Sequence, residues 1–323
     1  MYTNKSNNFF HGIMFHHFHD RDKHKKSQGS ISKDEFYKLI KYIGRENIIN
    51  ADLFYQKLKE NKLSKHEVCF TFDDSVKCQM DVALPVLEDL KIKSFFFIYS
   101  SIFEYRSNNL EVYRFFRTNF FKNMEEFYQF FYQFVDKDLS FFFKEKENIL
   151  KEKKMKFPHY SYEDLKFRMV RDHFFDKKEY DNIMKNLMKE KNFKPELAYA
   201  DLFLNKSDIL NLNNLGHTIG LHTHNHPMTL EKLDKESQKF EYEKNLQVLS
   251  ELLGKKKDEF KSMSHPCGSY NEETLKILKE LGVEIGFKQI MKIEKERGMK
   301  KINNSHLEIA RQDHAEIIHR MDK

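Results

Sequence analysis

The sequence predicts an α/β protein built from parallel βαβ units and interrupted by a long helical insertion. Short apolar runs alternate with segments of helical spacing toward both ends of the chain. Between them, no glycine occurs from Gly44 to Gly216, and Pro85, Pro158 and Pro195 are the only prolines there, a composition that favours helices. Finally, three short polar motifs each fall where an apolar run ends.

Residues 67–72 (EVCFTF) read as a buried strand that ends at Asp73 and Asp74. Val82, Ala83, Val86, Leu87 and Leu90 then repeat at helical spacing, and residues 94–99 (SFFFIY) form a second buried strand. From 104 to 205 the chain is aromatic and charged, with apolar residues three and four apart, so it reads as helices whose Phe stripe is core. Residues 218–221, 260–263 and 283–287 supply three more strands. A long helix near 230–253 closes at Gly254, and a shorter one near 272–281 closes at Gly282 with Asn271 as its N-cap. The expected organisation is 1–103 and 206–323 as two parts of one α/β body, with 104–205 inserted between them. A parallel barrel and an open parallel sheet both fit this alternation.

The chain has 323 residues, 40% of them hydrophobic, with 32 Phe, 15 Tyr and no Trp, enough to bury a sizeable core. Its net charge of +6 is a small difference between 56 basic and 50 acidic residues. With no dense basic block, a nucleic-acid partner is not expected. Cys69, Cys78 and Cys267 form no CxxC pair and leave an odd thiol, which suits a reducing compartment. The first twenty residues lack the apolar run of a signal peptide, and no run reaches the roughly 18 residues of a membrane span. A cytoplasmic protein without a membrane span is the expectation. His11, His19 and His24 lie in a polar segment and are expected to be solvated and mobile.

Chemistry concentrates in the three motifs. In Thr71-Phe72-Asp73-Asp74, adjacent carboxylates on an extended chain point in different directions, so one can ligate a metal while the other faces the reacting atoms. Alone, such a pair is more often a turn or a helix cap. In His222-Thr223-His224-Asn225-His226, the outer histidines are four apart and share a face if the chain turns helical. Two imidazoles and one carboxylate are the usual ligands of a catalytic zinc with an open position, and cobalt or nickel would also be accepted. Ser264-His265-Pro266-Cys267-Gly268-Ser269-Tyr270-Asn271 is a turn between a strand and a helix whose backbone N–H groups can face an oxyanion.

In this order, the motifs resemble those of the NodB-homology polysaccharide deacetylases, of the carbohydrate esterase family four type. The resemblance covers residues 66–101 and 215–290. It implies a distorted (β/α) barrel and hydrolysis of the acetamide of an N-acetylated sugar, a precursor or polymer in surface-glycan metabolism. It implies that Asp74, His222 and His226 hold a divalent metal and that Asp73 is the general base. Pro266, Cys267 and Gly268 would line the substrate groove, with the Cys267 N–H on the oxyanion. Ser75 stands where the family usually has Gly, which is tolerable if the backbone there is not left-handed, and Ser264 stands where it has Arg. The family's late Leu-x-His motif has no counterpart. Leu307-Glu308-Ile309-Ala310-Arg311-Gln312-Asp313 resembles a strand of some envelope-glycan members and offers Arg311 in place of the missing Arg. Met14-Phe15-His16-His17 resembles the family's opening strand and offers His16, or His17, as the acid. His224 and His265 are expected to shape the pocket. Two alternatives remain: hydrolysis of another small-molecule C–N amide on the same fold, or a catalytically inactive, glycan-binding relative.

Overall fold

A computed structural model gives the fold and describes residues 9–104, 109–156, 160–295 and 299–321. Nine strands occur among them: β1 (His11–Phe15), β2 (Phe18–His19), β3 (Ile31–Ser32), β4 (Val68–Phe72), β5 (Phe95–Ile98), β6 (Thr218–Leu221), β7 (Ser262–Ser264), β8 (Ile285–Phe287) and β9 (Arg311–Asp313). Helices α1 (Lys33–Ile43), α2 (Ala51–Lys59) and α3 (Leu84–Asp89) precede the insertion. Then come α4 (Asn109–Asn119), α5 (Met124–Gln133), α6 (Ser140–Lys156), α7 (Tyr162–His173), α8 (Lys177–Glu190) and α9 (Pro195–Leu202). The chain ends with α10 (Lys206–Asn214), α11 (Lys235–Leu253), α12 (Glu272–Glu280) and α13 (His314–Met321). The contacts divide the chain into one unit of Met1–Asn108 with Ala200–Lys323 and another of Asn109–Tyr199.

In the first unit, seven strands pair in the order β8-β7-β6-β5-β4-β1-β9, every pair parallel. The segment leading into β9 closes the sheet on itself. The Gly286 amide donates to His306 O, Ile309 bridges in parallel to Phe287, and β9 pairs with β1 from Gly12↔Arg311 onward. Two glycines allow this closure. A Cβ on Gly286 would lie 2.6 Å from Leu307 O, and one on Gly12 would lie 3.1 Å from Arg311 Cγ and 3.2 Å from the Phe287 ring. The fold is therefore the expected distorted (β/α) barrel.

Alternation along the strands sorts the side chains. Cys69 of β4 joins Phe95, Phe97, Ile285, Phe287 and Ile309 in a buried cluster, which α2 closes with Ala51, Phe54 and Leu58 at the end where the strands begin. Phe70 and Phe72 point the other way and pack with Phe15, Phe18 and Phe36. Each such buried ring contributes about 1.5–3 kcal/mol of transfer free energy. The polar motifs lie at the opposite end, after the last residues of β4, β6 and β7.

Several local expectations change. The long helix starts at Lys235, capped by the Asp234 side chain, after a separate short turn at Leu230–Lys232. Gly254 and Gly282 take positive φ at their helix ends, and the Asn271 side chain accepts from the Thr274 amide as the N-cap of α12. His11 is not solvated: it is fully buried in β1. His19 is largely covered and bonds to Ser30 Oγ (2.9 Å), while His24 meets Asp81 (2.9 Å). Strand pairing of the segment around β1 outweighs the polarity of its flanks.

The second unit is helical. Its core is a set of rings at 5–6 Å spacing, with Phe167 against Phe127, Tyr128 and Phe131, and Phe116 against Phe121. Asn123, Ser161 and Asp176 cap α5, α7 and α8 through their side chains. No helix among the described residues is long and apolar enough to cross a membrane.

Candidate metal centre

Asp73 follows β4 in extended register, so it points to the barrel interior like Cys69 and Thr71. Alternation would send Asp74 outward, but Asp74 and Ser75 both take left-handed backbone, with φ of 70° and 55°. That turn swings the Asp74 carboxylate toward β6. Ser75 is thus left-handed, the condition under which a serine in place of Gly is costly, and part of that cost is offset because its Oγ accepts from the Tyr99 amide (3.2 Å). Thr223 and His226 are also left-handed, with φ of 64° and 53°. The motif after β6 therefore turns tightly enough to bring His222 and His226 together, their ring centroids 4.7 Å apart.

Asp74, His222 and His226 offer ligand atoms that all lie within 4.8 Å of one another, and all three residues are buried in this respect or nearly so. His222 Nε2 lies 3.4 Å and His226 Nε2 3.2 Å from the same oxygen, Asp74 Oδ1. Two ligands at about 2.1 Å from a common ion in tetrahedral geometry are roughly 3.4 Å apart, so the spacing fits a zinc-type cation. Proton placement fits as well. His222 Nδ1 donates to the carbonyl of Ser264 (2.8 Å), so a neutral ring turns its Nε2 lone pair toward Asp74. Lone pairs converging on one point call for a cation between them. Burial works to raise the Asp74 carboxyl; with protons in place of a cation, His16 and the then-donating His222 and His226 outweigh it and hold it well below the usual carboxylate range.

Beside this triad lies a buried charge pair. Arg311 holds Asp73 with both ends of its guanidinium, Nη1 to Oδ1 at 2.8 Å and Nη2 to Oδ2 at 2.7 Å. Ser264 fits between them, its Oγ donating to Asp73 Oδ2 (3.0 Å) and accepting from Arg311 Nη2 (2.8 Å). Arg311 also donates to Thr71 Oγ1 (3.2 Å) and to Lys288 O (2.6 Å). Burial acts to raise Asp73, yet Arg311 and then His222 outweigh it, so the carboxyl sits below its ordinary value. The serine in the third motif leaves room for a guanidinium that arrives from β9.

The remaining expected residues are placed as follows. His16 Nε2 lies 3.8 Å from Asp74 Oδ2, and the ring is partly exposed. The His17 carbonyl accepts from the Ile31 amide, tying it to β3. In the turn after β7, Cys267 is left-handed (φ 51°) and exposed, while the Gly268 and Ser269 amides donate to His265 O and Pro266 O. His224 is bonded to Ser100 Oγ (2.9 Å) and faces Glu104 (3.6 Å). His265 bonds to Leu307 O (2.8 Å) and stacks on Tyr270.

Three residues of the site went unread in the sequence. Glu241 of α11 accepts from the His224 amide (3.0 Å), the Asn225 amide (2.7 Å) and Asn225 Nδ2 (2.8 Å). One turn on, Asn245 accepts from the His222 amide (3.1 Å) and donates to Ile98 O (2.9 Å). Gln79 bridges the carbonyls of His16 (3.0 Å) and Asp73 (2.6 Å). For the two on α11, the available signal was polar residues at three- and four-residue spacing on the buried face of that helix.

A family model described as polysaccharide deacetylase matches residues 135–286, which include the histidine motif and the turn after β7 but begin beyond Asp73 and Asp74. Among solved structures, the deacetylase PplD of Streptococcus pyogenes, in complex with acetate, is similar with a TM-score of 0.55 and 15% identity, over 98% of this chain and 100% of that one. IcaB of Ammonifex degensii gives 0.53 and 14%, over 95% and 91%. A de-N-acetylase of Aggregatibacter actinomycetemcomitans gives 0.52 and 12%, over 94% and 95%. At these identities the likeness is one of fold. No curated protein matches the sequence. The resemblance carried by the motifs is borne out by the family model together with the barrel.

Proposed function

We propose, from the premise that this chain is a relative of the polysaccharide deacetylases, that it is a metal-dependent N-deacetylase of an N-acetylated sugar. The observation that carries this reading is the convergence of Asp74, His222 and His226 beside the Asp73–Arg311 pair. Those three residues would hold the cation, zinc by preference and cobalt or nickel as alternatives. When bound, it supplies Lewis acidity toward the acetyl carbonyl.

The chain's own residues do the rest. Asp73, ionised and aimed by Arg311 and Ser264, takes a proton from the attacking water as oxygen bonds to the carbonyl carbon. The Cys267 N–H donates to the oxygen that gains charge. As the C–N bond breaks, His16 delivers a proton to the leaving nitrogen, and acetate and the free amine depart. The partly exposed His16 can be reprotonated from solvent.

The substrate we infer is a precursor or polymer in surface-glycan metabolism. A cytoplasmic setting, consistent with three cysteines that form no disulfide among the described residues, favours a precursor.

The first test is metal content of the purified protein beside an Asp74→Ala/His222→Ala double variant, followed by acetate release from N-acetylglucosamine oligomers and sugar nucleotides. About one cation per wild-type chain, absent from the variant, with acetate release lost about 10³-fold or more, is the expected result. Absence of metal from both proteins after loading would overturn the hydrolase reading and favour an inactive, glycan-binding relative.

A further inference from the structure

The helical unit holds a cavity of about 490 Å³ that plays no part in the reading above. Its size falls within the roughly 300–1,000 Å³ of small-molecule sites. Part of its lining is aromatic, with Tyr113, Phe193 and Tyr199. Phe193 is held by ring contacts with Phe120 and Phe116, neither of which lines the cavity, at 4.7 and 5.3 Å between centroids. The Tyr113 hydroxyl donates to Asp181 (2.9 Å), which orients its ring. The cavity wall is thus preformed.

Another part of the lining is basic. Lys185 and Lys189, one turn apart on α8, share a face, and Lys194 joins them from the turn before α9. No ion pair or hydrogen bond engages these three ammonium groups among the described residues. Lysines nearby differ: Lys177 pairs with Asp181, Lys137 with Glu179, and Lys191 lies over the Phe121 and Phe130 rings. Three lysines against the single carboxylate of Glu196 leave the lining with a net charge of +2. The C-terminal end of α8 and the N-terminal end of α9 bring opposite partial charges, so the lysines set the sign.

We propose that this cavity binds a phosphorylated ring compound of about nucleotide size, its phosphates on the lysines and its ring against the aromatic wall. A single carboxylate would neutralise one ammonium group, whereas a diphosphate meets the excess charge of the lining. The inference rests on the cavity and not on the hydrolase reading.

Calorimetric titration of the full-length protein with uridine diphosphate, uridine and pyrophosphate tests it, beside Lys185→Glu/Lys189→Glu, Lys185→Gln/Lys189→Gln and Asp74→Ala variants. Uridine diphosphate is expected to bind at least tenfold more tightly than either fragment. The charge reversal should weaken it tenfold or more and the glutamine pair less, while Asp74→Ala leaves it unchanged. Loss of binding in Asp74→Ala would assign the diphosphate to the metal centre and overturn the proposal. Equal affinity for pyrophosphate, unchanged binding in the charge-reversed protein, or no binding at millimolar ligand would also overturn it.

Discussion

The candidate centre and the helical unit bury charge in opposite ways. At the centre, partners come from far apart in the sequence: Arg311 meets Asp73 across 238 positions, and Ser264 meets Asp73 across 191. In the helical unit, Asp164 is held by Tyr128, 36 positions away, and by Arg168, one helical turn on. Backbone strain is divided in the same way. Asp74, Ser75, Thr223, His226 and Cys267 all take left-handed φ around the centre, whereas the helical unit has among its described residues only Asn192, a type that tolerates it. Left-handed backbone at such residues costs on the order of 1 kcal/mol each, and the chain accepts this where carboxylates and imidazoles must converge.

The sharpest way to break this comparison is to remove the long-range partner. Arg311→Ala leaves Asp73 buried without its counter-charge, an expected loss of about 3–5 kcal/mol in stability. If Asp73 is the base, acetate release should fall about 10²- to 10⁴-fold as well. Adding Ser264→Arg to that variant returns a guanidinium from the third motif's own position, and part of the activity should return with it. Thermal denaturation and kcat/KM on the two proteins measure this. Full activity in Arg311→Ala would mean that the pair only fills the barrel.

The same contrast explains what the sequence disclosed. His222, His226, Asp73 and Asp74 were legible because their chemistry is carried by residue type at short spacing, and Arg311 emerged from a strand resembling one in related chains. The helical character of the insertion was legible from Phe spacing that 3.6-residue turns require. Closure of the sheet was not, because it depends on Leu307 O approaching Gly286, a contact between segments with no shared pattern. The left-handed Ser75 was missed because a serine gives no conformational signal of that kind. His11 was misread because it was grouped with the polar stretch that holds His19 and His24, whereas Phe9, Phe10 and Ile13 beside it are apolar and its strand pairs with Val68 of β4.

A smaller effect separates the two regions by pH. Burial, ahead of the repulsion from Arg320, lowers the His11 imidazole to about 4, and burial with Lys93 lowers His217 to about 4. On acidification the unfolded chain therefore binds these protons first. The stability they contribute is complete above pH 6.5 and is lost as pH falls from 6.5 to about 4. For His11 the loss is of order 3 kcal/mol at the lower end. The histidine of the helical unit among its described residues, His173, is exposed. Urea midpoints should thus fall between pH 7 and 4.5, and His11→Asn should flatten the fall. The depressed carboxylates of the centre act only below their own ordinary range, outside this window. A midpoint that holds steady, or an unchanged slope in His11→Asn, would show that His11 is not desolvated.

The mildest test concerns α11, where a helix of local origin meets the centre. Glu241 and Asn245 lie one turn apart and accept from the amides of His222, His224 and Asn225 in the loop that carries His222 and His226. Glu241→Gln keeps the volume but turns an amide NH₂ toward a site that offers only donors. The loop then loses at least one of three hydrogen bonds while the side chains of the triad stay untouched. Partners that orient ligands in this way are worth about 10- to 100-fold in metal affinity. Competition against a chromophoric chelator should show a loss in that range for Glu241→Gln, and a smaller one for an exposed control on the same helix, Glu251→Gln. An affinity equal to wild type would mean that the left-handed turn at Thr223 and His226 holds the ligands by itself, and that the long-range bonds merely accommodate it.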